Sequence, residues 1–311
     1  MITIGHDAEV FLKEIGTGKL IPATGLIGGR KGAPLPFRGG GLLEDGVAAE
    51  LNINPANTET KFVRNTQTLL KELETLVKPR NLTFQIQSVA CFDKKVLNRP
   101  QMFEFGCEPD YNVWTLEEND TTKQLATLIK QDKRVAGGHI HIGILNKRNQ
   151  YMYEGNISSR AFLVYACELF IGLPLTIFDP DRERKSYYGA SGAHRLKPYG
   201  VEYRVPSNFW LSDPALMGLI YNLATFAAGS MQNLSGISSL LKKFQIATQI
   251  GRCTLADPQN PLSIMINKGD KESALAVIAN YYPIDIKNII MQALTAIKPK
   301  GWADVCNRLQ G

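Results

Sequence analysis

Gly137-Gly138-His139-Ile140-His141-Ile142-Gly143 puts two of the chain's four histidines on alternate positions of a strand-like run. Alternate residues of a strand face the same side, so the two imidazoles project together. Three other short runs repeat that arrangement with other polar groups. They are Asp7-Ala8-Glu9 ahead of Val10-Phe11-Leu12, Glu50 within Ala48–Ile53, and Glu202-Tyr203-Arg204-Val205. Four strands that carry polar groups where a core strand carries Val or Leu predict one sheet with a polar face. Such a face costs stability unless metal, phosphate or paired charges occupy it.

Around these runs the periodicity is mixed. Residues 1–12 read as a strand interrupted at Gly5, 47–54 as a second, 82–90 as a half-buried third, and 201–206 as the strand of Glu202. From Glu59 to Val77 the spacing of Phe62, Leu69, Leu70, Leu73 and Leu76 predicts an amphipathic helix, closed by Pro79. Helices are expected over 121–131, from Ser158 to Phe178, and over 213–229, 271–281 and 285–297, with a polar loop across 179–200. The Gly- and Pro-rich segment 25–41 lacks the GxxxxGK[ST] pattern of a phosphate loop, and reads as a mobile cover for a bound substrate. Strands with interspersed helices, then helices alone, predict an α+β fold. The expected organisation is a catalytic core over 1–211 and a helical C-terminal part over 212–311.

Composition narrows the function classes. A chain of 311 residues, 44% hydrophobic and 21% charged, can bury a sizeable core and is not a disordered chain. The net charge of +6 suits an anionic small ligand. The basic runs Lys78-Pro79-Arg80, Lys147-Arg148 and Arg182-Glu183-Arg184-Lys185 are short and scattered, which argues for solvated loops and against a nucleic-acid partner. Five cysteines, odd in number and without a CxxC pair, exclude a disulfide framework and a thiolate zinc site. No basic-then-apolar leader opens the chain and no apolar run reaches about 18 residues, so a cytoplasmic protein with no membrane partner is expected.

Each polar cluster has a plain reading beside a chemical one. Asp7 and Glu9 could share a hard cation through oxygen, or form a pair on an edge strand. Glu44-Asp45-Gly46 followed by Glu50 sets one acid at a turn and another on the next strand, as an amphipathic edge strand also would. The His139/His141 pair with a carboxylate would suit zinc. Beside so many carboxylates, magnesium or manganese with a nucleotide is the better chemical match. Glu202 and Arg204, with Arg195 and Lys197 just before them, make either a salt-bridge ladder or a carboxylate on metal with cations on phosphate. Glu108 and Asp110 fall in a probable turn whose Pro and Asn suit ordinary turn chemistry.

The order of these pieces resembles the phage COOH·NH2 ligase type 2 family, within the glutamine synthetase-like carboxylate–amine ligases that also include glutamate–cysteine ligases. The runs that carry the resemblance are Gly5–Leu12, Glu44–Asn52, Phe105–Asp110, Gly137–Gly143 and Tyr199–Trp210, and it spans about residues 1–212. The resemblance implies a curved antiparallel sheet forming a funnel, with ATP and Mg2+ (or Mn2+) on its polar face. It implies a first metal site of Glu9, Glu50 and Glu44 or its neighbour Asp45, and a second of Asp7, His139 and Glu202. Arg204 would stabilise the transferred phosphoryl group, and Arg204, Glu50 and Glu202 would be the catalytic set. His141, Arg195 and Lys197 would line the nucleotide pocket together with Arg204, and Glu108 and Asp110 the substrate pocket. One departure stands out: such enzymes commonly carry Glu where this chain has Asp7.

The implied activity is ATP-dependent amide or peptide-bond formation through an acyl phosphate. Its partners would be small-molecule or peptide carboxylates and amines, in the host cytoplasm if the chain is phage-encoded, and a homo-oligomer is compatible with it. Two rivals keep the fold. A guanidino-kinase-like phosphotransferase would leave a stable phosphorylated product, and a non-catalytic phage structural or host-interaction protein would turn nothing over.

Overall fold

The computed structural model describes residues 1–97, 100–103, 110–120, 122–152, 156–233, 235–240, 257, 259–299 and 302–310. Glu108 therefore lies outside the described residues. In chain order the sheet strands are β1 (Ile2–Glu14), β2 (Leu20–Ile21), β3 (Leu35–Phe37), β4 (Gly40–Asp45) and β5 (Ala48–Ile53). The helix α1 (Glu59–Val77) follows, then β6 (Leu82–Gln85), β7 (Val89–Cys91), β8 (Tyr111–Asn112), β9 (Glu117–Glu118), α2 (Thr122–Lys130) and β10 (Lys133–Val135). The His strand is β11 (Ile140–Ile144), followed by α3 (Ile157–Cys167), β12 (Ala193–Lys197) and β13 (Gly200–Tyr203).

The strands pair antiparallel in the order β3-β4-β5-β1-β11-β13-β12-β8-β9, with β2 and β6 on the far end of β1. The four polar runs are therefore neighbours: β5, β1, β11 and β13 lie side by side. Period-two alternation then sorts the residues around these runs, with Phe11 of β1 packing in a second apolar cluster beyond them. Ile4, Ala8, Val10 and Leu12 of β1, Ala49, Leu51 and Ile53 of β5, Ile140, Ile142 and Ile144 of β11, and Val201 and Tyr203 of β13 are buried in one continuous core. The residues between them, Asp7, Glu9, Glu50, His141 and Glu202, share the other face. Burying one face of each strand fixes register, because a slip by one residue would send the acids into the core.

Helix α1 starts where expected. Thr58 caps it by accepting from the Lys61 N–H at 3.3 Å, and Phe62, Leu69 and Leu73 are buried against the apolar face. After Ser212 the described residues are helical: α4 to α8 span Pro214–Ser230, Pro261–Lys268, Lys271–Tyr281, Ile284–Ile297 and Trp302–Gln310. The first of these packs on α1, α3 and β1. The α+β class read from the sequence holds.

Several local expectations change. Gly5 does not interrupt β1; it pairs with His141 in an unbroken ladder. The 82–90 strand is two strands in two sheets, because β7 leaves β6 and pairs with β10. The expected loop 179–200 contains a strand, β12, whose Arg195 and Lys197 pair with Glu202 and Gly200. The segment Ile157–Leu175 is apolar and long enough to cross a membrane by composition, contrary to expectation. Here two thirds of that window is buried inside the protein. Its run is broken by a π-helical turn at Glu168–Gly172, where Glu168 accepts from Gly192 N–H at 2.8 Å, Tyr203 O–H at 2.7 Å and Trp114 Nε1–H at 3.2 Å. A buried carboxylate with that many donors ties the helix to both strands of the Glu202 hairpin.

Candidate active site

Register builds the site row by row. Glu9 stands opposite Glu50, and Leu43 opposite Glu50 on its other side. Position 45 therefore shares the face of Glu50, and position 44 faces away. Gly5 pairs with His141, His141 with Glu202, and Glu202 with Arg195. One step past the last β1–β11 pair, Asp7 meets His139, Nδ1 to Oδ1 at 3.2 Å.

Two three-residue groups result, each with ligand-type atoms within 4.8 Å of one another: Glu9, Asp45 and Glu50, and Asp7, His141 and Glu202. One sequence assignment shifts. Asp45 rather than Glu44 completes the first group. The Glu44 carboxylate instead accepts from the N–H groups of Gly25 (2.8 Å), Ile27 (3.0 Å) and Gly28 (3.1 Å). It ties down the start of the glycine-rich segment that had read as a mobile cover.

His141 falls in the second group by distance, and His139 stands beside it with Nδ1 3.2 Å from Asp7 Oδ1 and 3.7 Å from Glu202 Oε1. His139 Nε2 lies 3.4 Å from Arg184 Nη2. A guanidinium can only donate, so that nitrogen accepts and the ring's proton sits on Nδ1, facing Asp7. Burial, with the Arg204 charge, also pushes the His139 pKa down to about 3, which keeps the ring neutral. The glycines before it serve the chain itself: a Cβ at Gly137 would collide with the His139 ring, and one at Gly138 with the Ser207 carbonyl and Trp210. The Gly137 N–H donates to Glu9 Oε2 at 2.7 Å.

The two groups differ in charge balance. Glu9, Asp45 and Glu50 crowd together with little compensation. Burial, reinforced by the Asp45 charge, pushes Glu9 up to about 8. Asp45 is raised and Glu50 is raised well above its usual range, by burial first and then by Asp7. Glu202, fully buried, instead meets three cations: Arg204 Nη1, Lys197 Nζ at 2.9 Å and Arg195 Nη1 at 3.7 Å. Burial nevertheless outweighs them and raises its pKa. Asp7 is held well below its usual range: burial opposes this, but the His141 charge and the hydrogen bonds of His139 and His141 prevail. Arg204 also approaches Asp110, Nε to Oδ2 at 3.6 Å, so Asp110 belongs to this face.

The donor sets suit hard cations. Three carboxylates with raised pKa values are short of positive charge, as a magnesium or manganese site is before its ion. In the second group Asp7 Oδ1, His141 Nε2 and Glu202 Oε2 are buried atoms that make no well-formed hydrogen bond despite their ion-pair distances. Arg195, Lys197 and Arg204 beside them are suited to phosphate oxygens.

Two further residues were not legible in the sequence. Arg184, from a run read as a solvated loop, is fully buried and donates to the carbonyls of Val205 (3.2 Å) and Arg204 (3.0 Å). Tyr188 lays its ring beside both guanidiniums, 4.9 Å from Arg204 Cζ and 5.3 Å from Arg184 Cζ, in cation–π contact. No spacing rule marks either one, because both come from the irregular segment before β12.

Residues 118–252 match the sequence model of the family described as phage phiEco32-like COOH·NH2 ligase-type 2. The family resemblance read from the sequence over about 1–212 is matched over 118–252. The matched stretch contains His139, His141, Arg195, Lys197, Glu202 and Arg204, whereas Asp7, Glu9, Asp45 and Glu50 precede it. A solved structure titled "Apo GmaS without ligand" is similar at a TM-score of 0.45 and 12% identity, over 97% of this chain and 69% of that one. No curated protein sequence matches the chain.

Proposed function

We propose that the chain is an ATP-dependent carboxylate–amine ligase that works through an acyl phosphate, with Mg2+ or Mn2+ on the polar sheet face. The observation that carries this is the side-by-side placement of a poorly compensated triad of acids (Glu9, Asp45, Glu50) and a cation-rich group centred on Glu202. That pairing suits divalent ions on one side and a polyphosphate on the other, and the family match supports ligation as the use made of it.

A carboxylate is a poor acyl donor to an amine at neutral pH. In the proposed reaction its oxygen attacks the γ-phosphorus of ATP and ADP leaves. The amine nitrogen then attacks the acyl carbon, phosphate departs with the former carboxylate oxygen, and the nitrogen loses a proton. The divalent ions, when bound, neutralise charge on the phosphates. Glu9, Asp45 and Glu50 would hold one ion, and Asp7 and Glu202 with His139 or His141 the other. Arg204, packed between Glu202, Asp110 and the Tyr188 ring, presents its guanidinium to the phosphoryl group in flight. Lys197 and Arg195 bind phosphate oxygens by exchanging part of their contact with Glu202. No Ser or Cys nucleophile is required. We also propose that residues 1–211 form the catalytic core, with the helices after Ser212 as its support.

A screen of ATP and Mg2+ with pooled carboxylates and amines, read by ADP release, tests the reading. ADP formation that requires both a carboxylate and an amine supports it. A stable phosphorylated product formed without an amine would mark a phosphotransferase, and ATP left intact with every pool would count against catalysis.

A further inference from the structure

Glu168 stands on the core side of the sheet, in the π-helical turn that follows α3, and is fully buried. Both of its oxygens are used twice. Oε1 accepts from Gly192 N–H at 2.8 Å and Tyr203 O–H at 2.7 Å, and Oε2 accepts from Trp114 Nε1–H at 3.2 Å and from the Ser191 hydroxyl. Each donor leads to a strand of the polar face. Tyr203 lies on β13 between Glu202 and Arg204. Ser191 and Gly192 lead into β12, whose Ala193 carbonyl accepts from Arg204 N–H at 3.0 Å. Trp114 follows β8; its own N–H donates to Asn112 Oδ1 at 2.8 Å, and Asn112 Nδ2 donates to the Ser191 carbonyl at 3.2 Å. Gly172 keeps the turn clear, since a Cβ there would stand 2.4 Å from Tyr203 Oη. The segments tied in this way carry Arg195, Lys197 and Arg204, with Asp110 just before β8. The strands of Glu9, Asp45 and Glu50, which are β1, β4 and β5, receive none of these four bonds.

We propose that Glu168 is a positioning residue for the cationic half of the site: from behind the sheet it holds β8, β12 and β13 where Arg195, Lys197 and Arg204 meet a polyphosphate together. This rests on the metal–nucleotide reading above. Single π-helical turns inside α-helices are frequent at functional sites, and a buried carboxylate that takes four donors places three elements with one group. Glu168→Gln keeps the shape but exchanges one oxygen for an NH2. Hydroxyl groups can turn and accept from it, whereas N–H groups cannot. Whichever way the amide turns, either Gly192 N–H or Trp114 Nε1–H faces an NH2 in place of an acceptor. Tyr203→Phe removes a single donor and keeps the ring.

The probe is AMPPNP with Mg2+, a nucleotide whose γ-phosphoryl group is not transferred, titrated calorimetrically well below the melting temperature of each variant. Glu168→Gln is expected to weaken AMPPNP binding roughly 3- to 30-fold, and Tyr203→Phe to weaken it by less. Mn2+ at the class that Asp45→Asn abolishes, measured without nucleotide, keeps its wild-type affinity in both variants. Hydrogen exchange should quicken at the amides of β12 and β13 and stay unchanged in β4 and β5. Lower melting temperatures with both affinities unchanged would overturn the proposal in favour of a purely structural carboxylate. Equal losses of AMPPNP and Mn2+ affinity would overturn it too, as a general loosening. If Glu168→Gln does not fold, Tyr203→Phe decides by the same split. A wild type that binds no AMPPNP would instead remove the nucleotide reading, and this inference with it.

Discussion

Stripping divalent cations from this protein should make its stability fall as pH rises from about 6.5 to about 8, and restoring Mg2+ should flatten that slope. Glu9 has an ordinary pKa of 4.5 that the fold pushes up to about 8. The unfolded chain ionises first. The folded state therefore loses stability progressively above 4.5, and the loss is complete only above about 8. His6 and His139 act the other way: burial lowers both to about 3, so the fold loses stability as pH falls below 6.5. Above 6.5 that opposing slope is spent and the acids dominate. His141, whose pKa is raised chiefly by Asp7 against the effect of burial, adds the same sign there.

Across this window Glu9 alone could cost about 2 kcal/mol at about 1.4 kcal/mol per unit, or about 1 kcal/mol after discounting its partial exposure. Glu50, raised by burial and the same neighbours, adds a loss of the same sign. For a chain of this size the Glu9 share alone is a fall of roughly 2 °C in Tm. Thermal melts in chelator and in millimolar Mg2+ at each end of the window measure it, with Glu9→Gln as the control. A Tm that is flat or rising with pH in chelator, or an unchanged slope in Glu9→Gln, would refute the account of the acid triad.

Other expectations concern single residues. Glu202→Gln leaves three cations around a buried neutral amide, and should cost about 3–5 kcal/mol of stability and abolish ADP formation; melts and the ADP assay read both. Arg204→Lys keeps the charge but loses the planar fork and its packing on Tyr188, so turnover should fall more than ATP affinity. Equal losses in both would sink its proposed role. Glu44→Gln should cost about 1–2 kcal/mol of stability and leave Mn2+ binding intact, whereas Asp45→Asn should do the reverse. Calorimetric Mn2+ titration of the two variants decides between the neighbours.

The polar face was legible because alternation leaves a mark in sequence: Asp7/Glu9, His139/His141 and Glu202/Arg204 are each two apart. What alternation does not encode is register between strands. The choice between Glu44 and Asp45 depends on Leu43 standing opposite Glu50, a pairing fixed by long-range packing. Arg184, which holds His139 Nε2, comes from a segment that gave no periodic signal. Strand β12 was missed for a related reason: His194, Arg195 and Lys197 look like a loop until the Glu202 hairpin supplies their partner. Helix α1 was read almost to the residue, since its cap and apolar stripe are local.

The central claim is that a carboxylate oxygen is transferred to phosphate during ligation. With a substrate pair found by the ADP screen, the carboxylate is labelled with 18O and the released inorganic phosphate examined by mass spectrometry. The account predicts one 18O atom in each phosphate released and none in ADP. Amide formed with unlabelled phosphate would contradict it.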